Sequence, residues 1–328
     1  MASGILVLAE HESGELISIS KELLGAARRL ADASGETVTA VAFGSSASAA
    51  GRQAISYGAG AALVAEDPGL DEYTNDAWTA ALTAASAAAD PSIVLLGQTN
   101  VGRDLAPRFA TRAGTAAAMD CIDLELRDGR LLMTRPCYGG SAHAQYTCKT
   151  DPQVATLRAK AFEPLQPDAS RGGEVTPLNL DGVSSIARTV ARNVVESEGV
   201  RLEDATVVVS GGRGLGGAEA FEDLRELANI LGGALGSSRA AVDAGWVPVA
   251  SQVGLTGKVV TPDLYIAVGI SGASQHLAGI TGARNVVAVN KDKDADIFKV
   301  ARYGAVADWQ AFIPAFIEEC RKLRLTEK

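Results

Sequence analysis

The sequence predicts an α/β protein of two doubly wound domains. Three observations carry that expectation. Short apolar runs alternate with amphipathic stretches from Ile5 to Arg112, the βαβα rhythm of a parallel sheet covered on both faces. The same rhythm resumes at Thr206, after an interval rich in proline, glycine and charge. The length of 328 residues suits two domains of ordinary size, about 100–200 residues each.

Taken in order, Ile5–Ala9 is a short apolar run that reads as the first strand. Ile19–Ala33 places Leu23, Leu24, Ala27, Leu30 and Ala31 on one side of a helix. Thr37–Phe43 and Ala61–Ala65 are β-like, with a short helical stretch between them that ends near Tyr57. Asp71–Ala89 is an Ala-rich helix stopped by Asp90-Pro91. Ile93–Leu96 reads as a buried strand and Asp104–Arg112 as another helix. From Ala116 to Phe162 the rhythm changes. Leu131–Arg135, Ala142–Cys148 and Gln153–Leu157 have no long helices between them and read as antiparallel additions to the first sheet. Gln166–Asn179, with the polar stretch to Leu202, reads as linker, and part of Val183–Glu196 has helical character. That gives a first domain over 1–200 and a second over 201–328. The second contains a strand at Thr206–Ser210, a glycine cluster, a helix at Ala218–Leu231, strands at Ile266–Val268 and Val286–Val289, a helix at Ser274–Ile280 and a closing helix at Asp308–Leu323.

Hydrophobic residues make up 47% of the chain and charged residues 21%, an ordinary balance for burying a core. Aromatic residues are only 5%, so packing must come from small and aliphatic side chains. The net charge of −9 argues against a broad grip on a nucleic-acid backbone, while leaving room for one anionic ligand in a locally positive pocket. Cys121, Cys137, Cys148 and Cys320 form no C-x-x-C pair, so neither zinc nor an iron–sulfur centre is expected. Each is expected as a small buried residue in a reducing cytosol. The N-terminus has no basic leader, and no run approaches the ~20 apolar residues of a membrane span. The expectation is a soluble, cytoplasmic protein without direct membrane insertion.

Four motifs carry candidate chemistry. Val207–Gly217 reads VVVSGGRGLGG, a strand, a glycine-rich turn and then a helix. Glycines let a backbone approach phosphate, and a helix N-terminus offers free N–H groups. Arg213 adds a forked donor suited to phosphate. The spacing is not G-x-G-x-x-G, and no acidic ribose partner follows about 20 residues on. A dinucleotide site and a strand–helix turn whose glycines only relieve strain weigh equally. In Gly236–Trp246, Arg239 sits among small residues in an apolar context and needs a partner. Asp243 and a ligand are equal candidates. Gln252–Lys258 is a loop with two glycines flanking Thr256, a common composition that alone means little. In Leu264–Gly279 a strand runs into a Ser-Gly turn, and a helix begins near Ser274. Ser271 and the first-turn amides suit a second set of phosphate oxygens. His276 falls in that turn, facing the pocket, where it can hydrogen-bond a carbonyl or stabilise an anion, although a lone histidine is more often a satisfied core or surface residue. His11 and His143 have no carboxylate or cysteine grouping and read as structural. There is no G-x-S-x-G elbow and no paired carboxylate, so hydrolase readings are weak.

In this order the four motifs resemble the α subunits of electron-transfer flavoproteins. The most specific run is LYIAVGISGASQHLAGITGARNVVAVN at 264–290, supported by SRAAVDAG at 238–245, Asn290-Lys291-Asp292, Ile297-Phe298 and Asp308. Asp104-Leu105-Ala106-Pro107-Arg108, Arg135-Pro136 and Gly140 fit less specifically, so the resemblance covers nearly the whole chain.

The resemblance implies that the second domain is a Rossmann-like FAD-binding domain holding one noncovalent FAD. By it, Arg213 and the run Ser271, Gly272, Ala273, Ser274 and Gln275 hold the phosphates and ribityl chain. Ser238, Arg239, Val253, Gly254, Leu255 and Thr256 lie around the flavin ring, and Asn290, Asp308 and Trp309 line the adenosine end. Arg239, Thr256 and His276 are its tuning residues. A fixed positive charge at Arg239 favours anionic reduced flavin, Thr256 suits a hydrogen bond to N5, and His276 suits negative charge on a pyrimidine carbonyl. Such groups tune a cofactor that itself carries the electrons, so the implied role is a carrier without substrate turnover of its own. The implied partners are a β subunit against the first domain, flavin dehydrogenases such as acyl-CoA dehydrogenases as donors, and a membrane quinone oxidoreductase as acceptor. Three residues depart from the family pattern. Leu255 stands where Gln is usual, Ser274 where Ile or Val is usual, and Trp309 where a small aliphatic residue is usual. Alternatives are a FixB-like relative serving nitrogen fixation, an electron-bifurcating flavoprotein subunit, a flavin or nicotinamide dehydrogenase using His276, Asp243 or Lys258 as base, and a scaffold with a vestigial nucleotide site.

Overall fold

The computed structural model describes residues 3–326 apart from 141, 181–182, 184, 188 and 192–199. The chain divides into two compact units, Met1–Asn193 and Val194–Lys328.

The first unit opens with strand β1 (Ile5–Leu8), a small hairpin of β2 (His11–Glu12) and β3 (Glu15–Leu16), and helix α1 (Ser18–Ser34). Gly35 ends α1 at φ 76°, a left-handed stop that glycine adopts without strain. The chain continues through β4 (Val38–Phe43), α2 (Ala47–Ser56), β5 (Ala61–Ala65), α3 (Asn75–Ala89), β6 (Ile93–Gly97) and α4 (Asn100–Arg112). Then come β7 (Ala117–Cys121), β8 (Asp123–Arg127), β9 (Arg130–Cys137), β10 (Ala142–Tyr146), β11 (Gln153–Leu157) and β12 (Glu174–Pro177).

Seven strands form one sheet in the order β12-β5-β4-β1-β6-β11-β7, and every pairing in it is parallel. Strand residues alternate between faces, so Ile5 and Val7 join one apolar cluster and Leu6 and Leu8 the other. Leu23, Leu24 and Leu30 of α1 and Ala47, Ala50 and Ala54 of α2 cover the first face. Ala81 and Leu82 of α3 and Leu105 and Phe109 of α4 cover the second.

Two expectations for this unit are corrected. The strand Gln153–Leu157 is no antiparallel addition: it inserts between β6 and β7, parallel to both. Within that stretch the antiparallel strands are β8, β9 and β10, and they form a separate three-stranded sheet. The second correction falls within the stretch read as linker. There Glu174–Pro177 is an edge strand, parallel to β5. Its residues are mostly exposed, which is why composition hid it. Half of the stretch 183–196, read as partly helical, lies outside the described residues, and its described half is not helical.

The second unit contains β13 (Val207–Gly211), α5 (Ala220–Leu231), β14 (Ala234–Ser237), α6 (Arg239–Asp243), β15 (Leu264–Val268), α7 (Ser274–Leu277), β16 (Asn285–Asn290), β17 (Tyr303–Val306) and α8 (Trp309–Thr326). Its sheet runs β14-β13-β15-β16-β17, again parallel throughout. Phe221, Leu224 and Leu227 of α5 pack with Ile313 and Ile317 of α8 against one face. The other face is covered by segments rather than long helices, through Leu202, Ala205, Val253, Val260, Ile280 and Ile297.

The cysteines divide. Cys121 and Cys320 are buried as expected, but Cys137 and Cys148 are only partly so, and all four are free.

Candidate cofactor site

In the second unit the chain leaves β13 to form β14 on one side and later returns to form β15 on the other. The crevice between the carboxyl ends of β13 and β15 is therefore a topological switch point, the usual ligand position in an open parallel sheet. Two loops meet there. The first follows Gly211 and includes a single 3₁₀ turn at Arg213–Leu215; the second follows Val268. Gly212 N–H donates to Val268 O at 2.9 Å and Gly214 N–H to Gly269 O at 3.0 Å. A Cβ on Gly212 would stand 2.3 Å from Gly269 O, so glycine is required for the loops to touch. That accounts for part of the glycine cluster by packing. The anticipated helix N-terminus stands back from the site. Helix α5 starts only at Ala220, carries Glu222 and Asp223 in its first turn, and contributes nothing to the cavity walls.

A cavity of about 640 Å³ opens at this point, within the range of about 300–1,000 Å³ usual for small-molecule sites. Arg213, Ser238, Arg239, Val253, Gly254, Ser271, Ala273, Gln275, His276 and Asn290 all line it. A smaller cavity of about 230 Å³ shares Gly214, Gly269 and Asn290 with it and continues past Asp308 and Trp309. Fourteen residues separate Ser238 from Val253 in sequence, yet Ser238 N–H donates to Gly211 O and Val253 N–H to Ser237 O, both at 2.9 Å, which folds the second and third motifs onto the ends of β13 and β14. Leu255 N–H donates to Gln275 O at 2.7 Å and ties the third motif to the fourth.

Four of the predicted residues stand off the cavity walls. Leu255 is 53% exposed. Thr256 is exposed and accepts a hydrogen bond from Gln252 Nε2 at 3.0 Å. Ser274 is exposed. Gly272 acts through the backbone: its φ is +87°, and a Cβ there would sit 2.1 Å from Ile297 N. The loop is thus pressed against the segment whose Ile297 N–H donates to Ser271 O at 3.1 Å.

Arg239 is not buried. Its side chain is 67% exposed and meets an equally open Asp243, with Nε 3.3 Å from Oδ2. Arg213 is exposed with no side-chain partner among the described residues. Asn290 is anchored at both ends of its amide: its Nδ2 donates to Ile270 O at 2.9 Å and its Oδ1 accepts from Asp292 N at 3.0 Å, which leaves one N–H and one lone pair over. Asp308 Oδ1 accepts from Gln310 N at 2.9 Å and so caps the start of α8.

His276 is buried, 7% exposed, and its Nε2 lies 2.9 Å from the hydroxyl of Tyr265. Burial pushes its pKa down to about 4, which leaves a neutral imidazole near pH 7. Its Nδ1 is buried without a hydrogen-bond partner among the described residues. Burial also raises the Tyr265 phenol above its ordinary range.

Motif reasoning missed Gln252, Gly269, Ile270, Asp292 and Ala295 on the cavity walls. Gly269 and Ile270 lie inside the fourth motif, so position after a strand was the available signal. Asp292 lies two residues past Asn290 in a run already singled out, and Ala295 joins the others only through the fold. Among the described residues no group of three or more His, Cys, Asp or Glu could hold a metal ion, and no helix is long and apolar enough to cross a membrane.

A doubly wound unit with a cavity at its switch point defines a domain that binds a nucleotide-type cofactor. Comparison with known proteins makes this particular. A family model described as "Electron transfer flavoprotein domain" matches residues 5–182, and one described as "Electron transfer flavoprotein FAD-binding domain" matches residues 201–281. An electron transfer flavoprotein subunit alpha of Thermoanaerobacterium thermosaccharolyticum is 43% identical over 98% of this chain and 98% of its own length. The protein of the same name from Megasphaera elsdenii is 42% identical over 97% and 96%. Protein FixB of Clostridium saccharobutylicum is 41% identical over 98% and 97%. The chain belongs to the electron transfer flavoprotein α-subunit family, which includes FixB proteins.

Proposed function

We propose that this chain is the α subunit of an αβ electron carrier that holds one noncovalent FAD in its second unit. The carrying observation is the donor set at the switch-point cavity: two exposed guanidinium groups, Arg213 and Arg239, and a buried, unpartnered His276 Nδ1. A buried polar atom without a partner is costly, and a ligand acceptor would relieve it. The residues therefore fit a dinucleotide with anionic phosphates and a carbonyl-bearing ring. FAD supplies the one- and two-electron chemistry when bound.

The chain's own residues divide the remaining work. Arg213, with the backbone of Ser271–Gln275, would hold the phosphates and ribityl chain. Ser238, Arg239, Val253 and Gly254 would surround the ring, with Leu255 and Thr256 on the adjoining loop. Asn290, Asp308 and Trp309 would meet the adenosine end through the smaller cavity. Arg239 sets a positive charge beside the ring, and His276, neutral at pH 7, offers a hydrogen bond rather than a charge. Of the three candidate bases, Asp243 faces Arg239 in an open ion pair, Lys258 pairs with Glu203, and His276 is buried beside the Tyr265 hydroxyl. That supports a carrier over a dehydrogenase.

The name of the relatives supports a β subunit as partner, meeting the first domain, 1–200, while 201–328 carries FAD. Donors would be flavin dehydrogenases such as acyl-CoA dehydrogenases, the acceptor a membrane quinone oxidoreductase, and the compartment the cytoplasm. The relatives named FixB support a second reading, service to another electron pathway with the same cofactor site. The test is reduction of the co-purified αβ complex by an acyl-CoA dehydrogenase with its substrate. Bleaching of the flavin spectrum is expected. Turnover of a small substrate by this chain without any dehydrogenase would overturn the carrier reading.

A further inference from the structure

We infer that Tyr265 is a positioning residue that fixes His276 as the Nδ1–H tautomer, so that the imidazole presents a neutral hydrogen-bond donor at the cavity wall. Tyr265 lies in β15, between β13 and β16, and is fully buried at 0% exposure. A buried phenol needs a partner for its hydroxyl. The side chain that meets hydrogen-bond geometry is His276 Nε2, at 2.9 Å, while the buried Ser210 Oγ stands near the phenol outside that geometry.

Counting protons distinguishes the two tautomers. A neutral imidazole carries one N–H and one bare nitrogen. If Nε2 held the hydrogen, it would donate to the phenol oxygen, the phenol O–H would have only the Ser210 Oγ, outside hydrogen-bond geometry, to turn to, and Nδ1 would be a bare acceptor. If Nδ1 holds the hydrogen, the phenol donates to Nε2 and only Nδ1–H is left to satisfy. The second arrangement orphans fewer buried groups. The surroundings of the ring agree. The backbone at Val253 acts on His276 in the direction that favours a protonated ring, as a carbonyl does, although it stands outside hydrogen-bond geometry. A carbonyl beside Nδ1 suits N–H there and repels a lone pair. His276 and Val253 both line the 640 Å³ cavity.

The consequence for a ligand rests on the function proposed above. A ring carbonyl or other acceptor at this wall would meet an N–H whose direction is set from the far side of the imidazole by Tyr265. The ring also stays in one orientation, because a flip would exchange the nitrogen facing the phenol for a carbon.

The test is ¹⁵N NMR of the full-length chain labelled at histidine, with His276→Gln used to assign its signals. The inference expects a neutral ring protonated at Nδ1 in the wild type. Tyr265→Phe keeps the aromatic ring and should shift the population toward Nε2–H. A wild-type ring protonated at Nε2, or an unchanged tautomer in Tyr265→Phe, overturns it. The wild-type reading decides even if the variant fails to fold. FAD titration of the complex with the β subunit gives a second readout, with affinity weaker by roughly 2–10-fold in Tyr265→Phe, the worth of one hydrogen bond. If the chain takes up no FAD at all, the cofactor proposal fails while the tautomer result stands on its own.

Discussion

Arg239 Nε lies 3.3 Å from Asp243 Oδ2, with both side chains about two-thirds exposed, on the wall of the larger cavity. An ion pair this open contributes little to folding, at most about 1 kcal/mol. It leaves the guanidinium available to a ligand. Arg239→Ala should therefore change unfolding stability by less than about 0.5 kcal/mol. It should nevertheless lower the midpoint potential of bound flavin by tens of millivolts, a one-electron step moving about 59 mV for each tenfold change. Denaturant titration and potentiometry check the two halves. A large loss of stability with an unmoved potential would make the residue structural.

Gly272 sits at φ +87°, with Ile297 N at 2.1 Å from the place a Cβ would take. Gly272→Ala adds both a steric clash and left-handed strain. The loop Ser271–Gln275 should be displaced, with a cost of at least about 1–3 kcal/mol, and FAD uptake should fall more than tenfold. Calorimetry and flavin titration measure these effects. A variant with wild-type stability and affinity would mean that the loop has room not apparent in its packing.

Each unit contains a titrating group of opposite sign. Burial lowers His276 to about 4, so between pH 6.5 and 4 the unfolded chain takes up a proton that the folded one refuses. Its contribution falls as pH drops through that window, by roughly 3 kcal/mol. Burial raises Glu10 of the first unit to about 7, against a hydrogen bond donated by Thr99 that lowers it. Here the folded state keeps its proton longer, so stability falls as pH rises from 4.5 to 7, again by roughly 3 kcal/mol. Burial raises Glu22 of the first unit likewise to about 7, so hydrogen exchange resolved by unit should show Glu10→Gln making that unit's downward slope shallower and His276→Gln removing an upward slope from the second. Equal slopes in variants and parent would contradict both assignments.

Leu255 is 53% exposed and is held through its backbone, N–H to Gln275 O at 2.7 Å. Leu255→Gln keeps the side-chain length and removes little packing, so stability should stay within about 0.5 kcal/mol. Any effect should appear only in the flavin potential. A stability loss above 1 kcal/mol in thermal unfolding would show that the side chain packs on something essential.

Much of the architecture was legible because strands and helices differ in apolar period. Period does not report strand direction, however. Gln153–Leu157 is buried throughout, and an apolar run of that length fits a parallel or an antiparallel neighbour alike. Its place between β6 and β7 depends on a long excursion through β8–β10, which no local signal encodes. Glu174–Pro177 was hidden for the opposite reason: an exposed edge strand can be polar. At the site, the motifs located the loops but not the state of their residues. Arg239 looked buried because its neighbours in sequence are small and apolar, but a one-turn helix turns its side chain outward. His276 carries no local sign of its neutrality, which follows from burial under Tyr265, eleven positions away. The glycine cluster mixed two roles, and only the distance from Gly212 to Gly269 separated packing from approach to a ligand.

The central claim is that the switch-point cavity of the second unit holds FAD. Its most direct test is the flavin released by denaturing the complex of this chain with its β subunit, quantified by chromatography. The account predicts FAD free in solution, at least equimolar with the α chain in the parent and strongly reduced in Gly272→Ala. A colourless parent complex that takes up no added FAD, or flavin that stays attached to denatured protein, would contradict it.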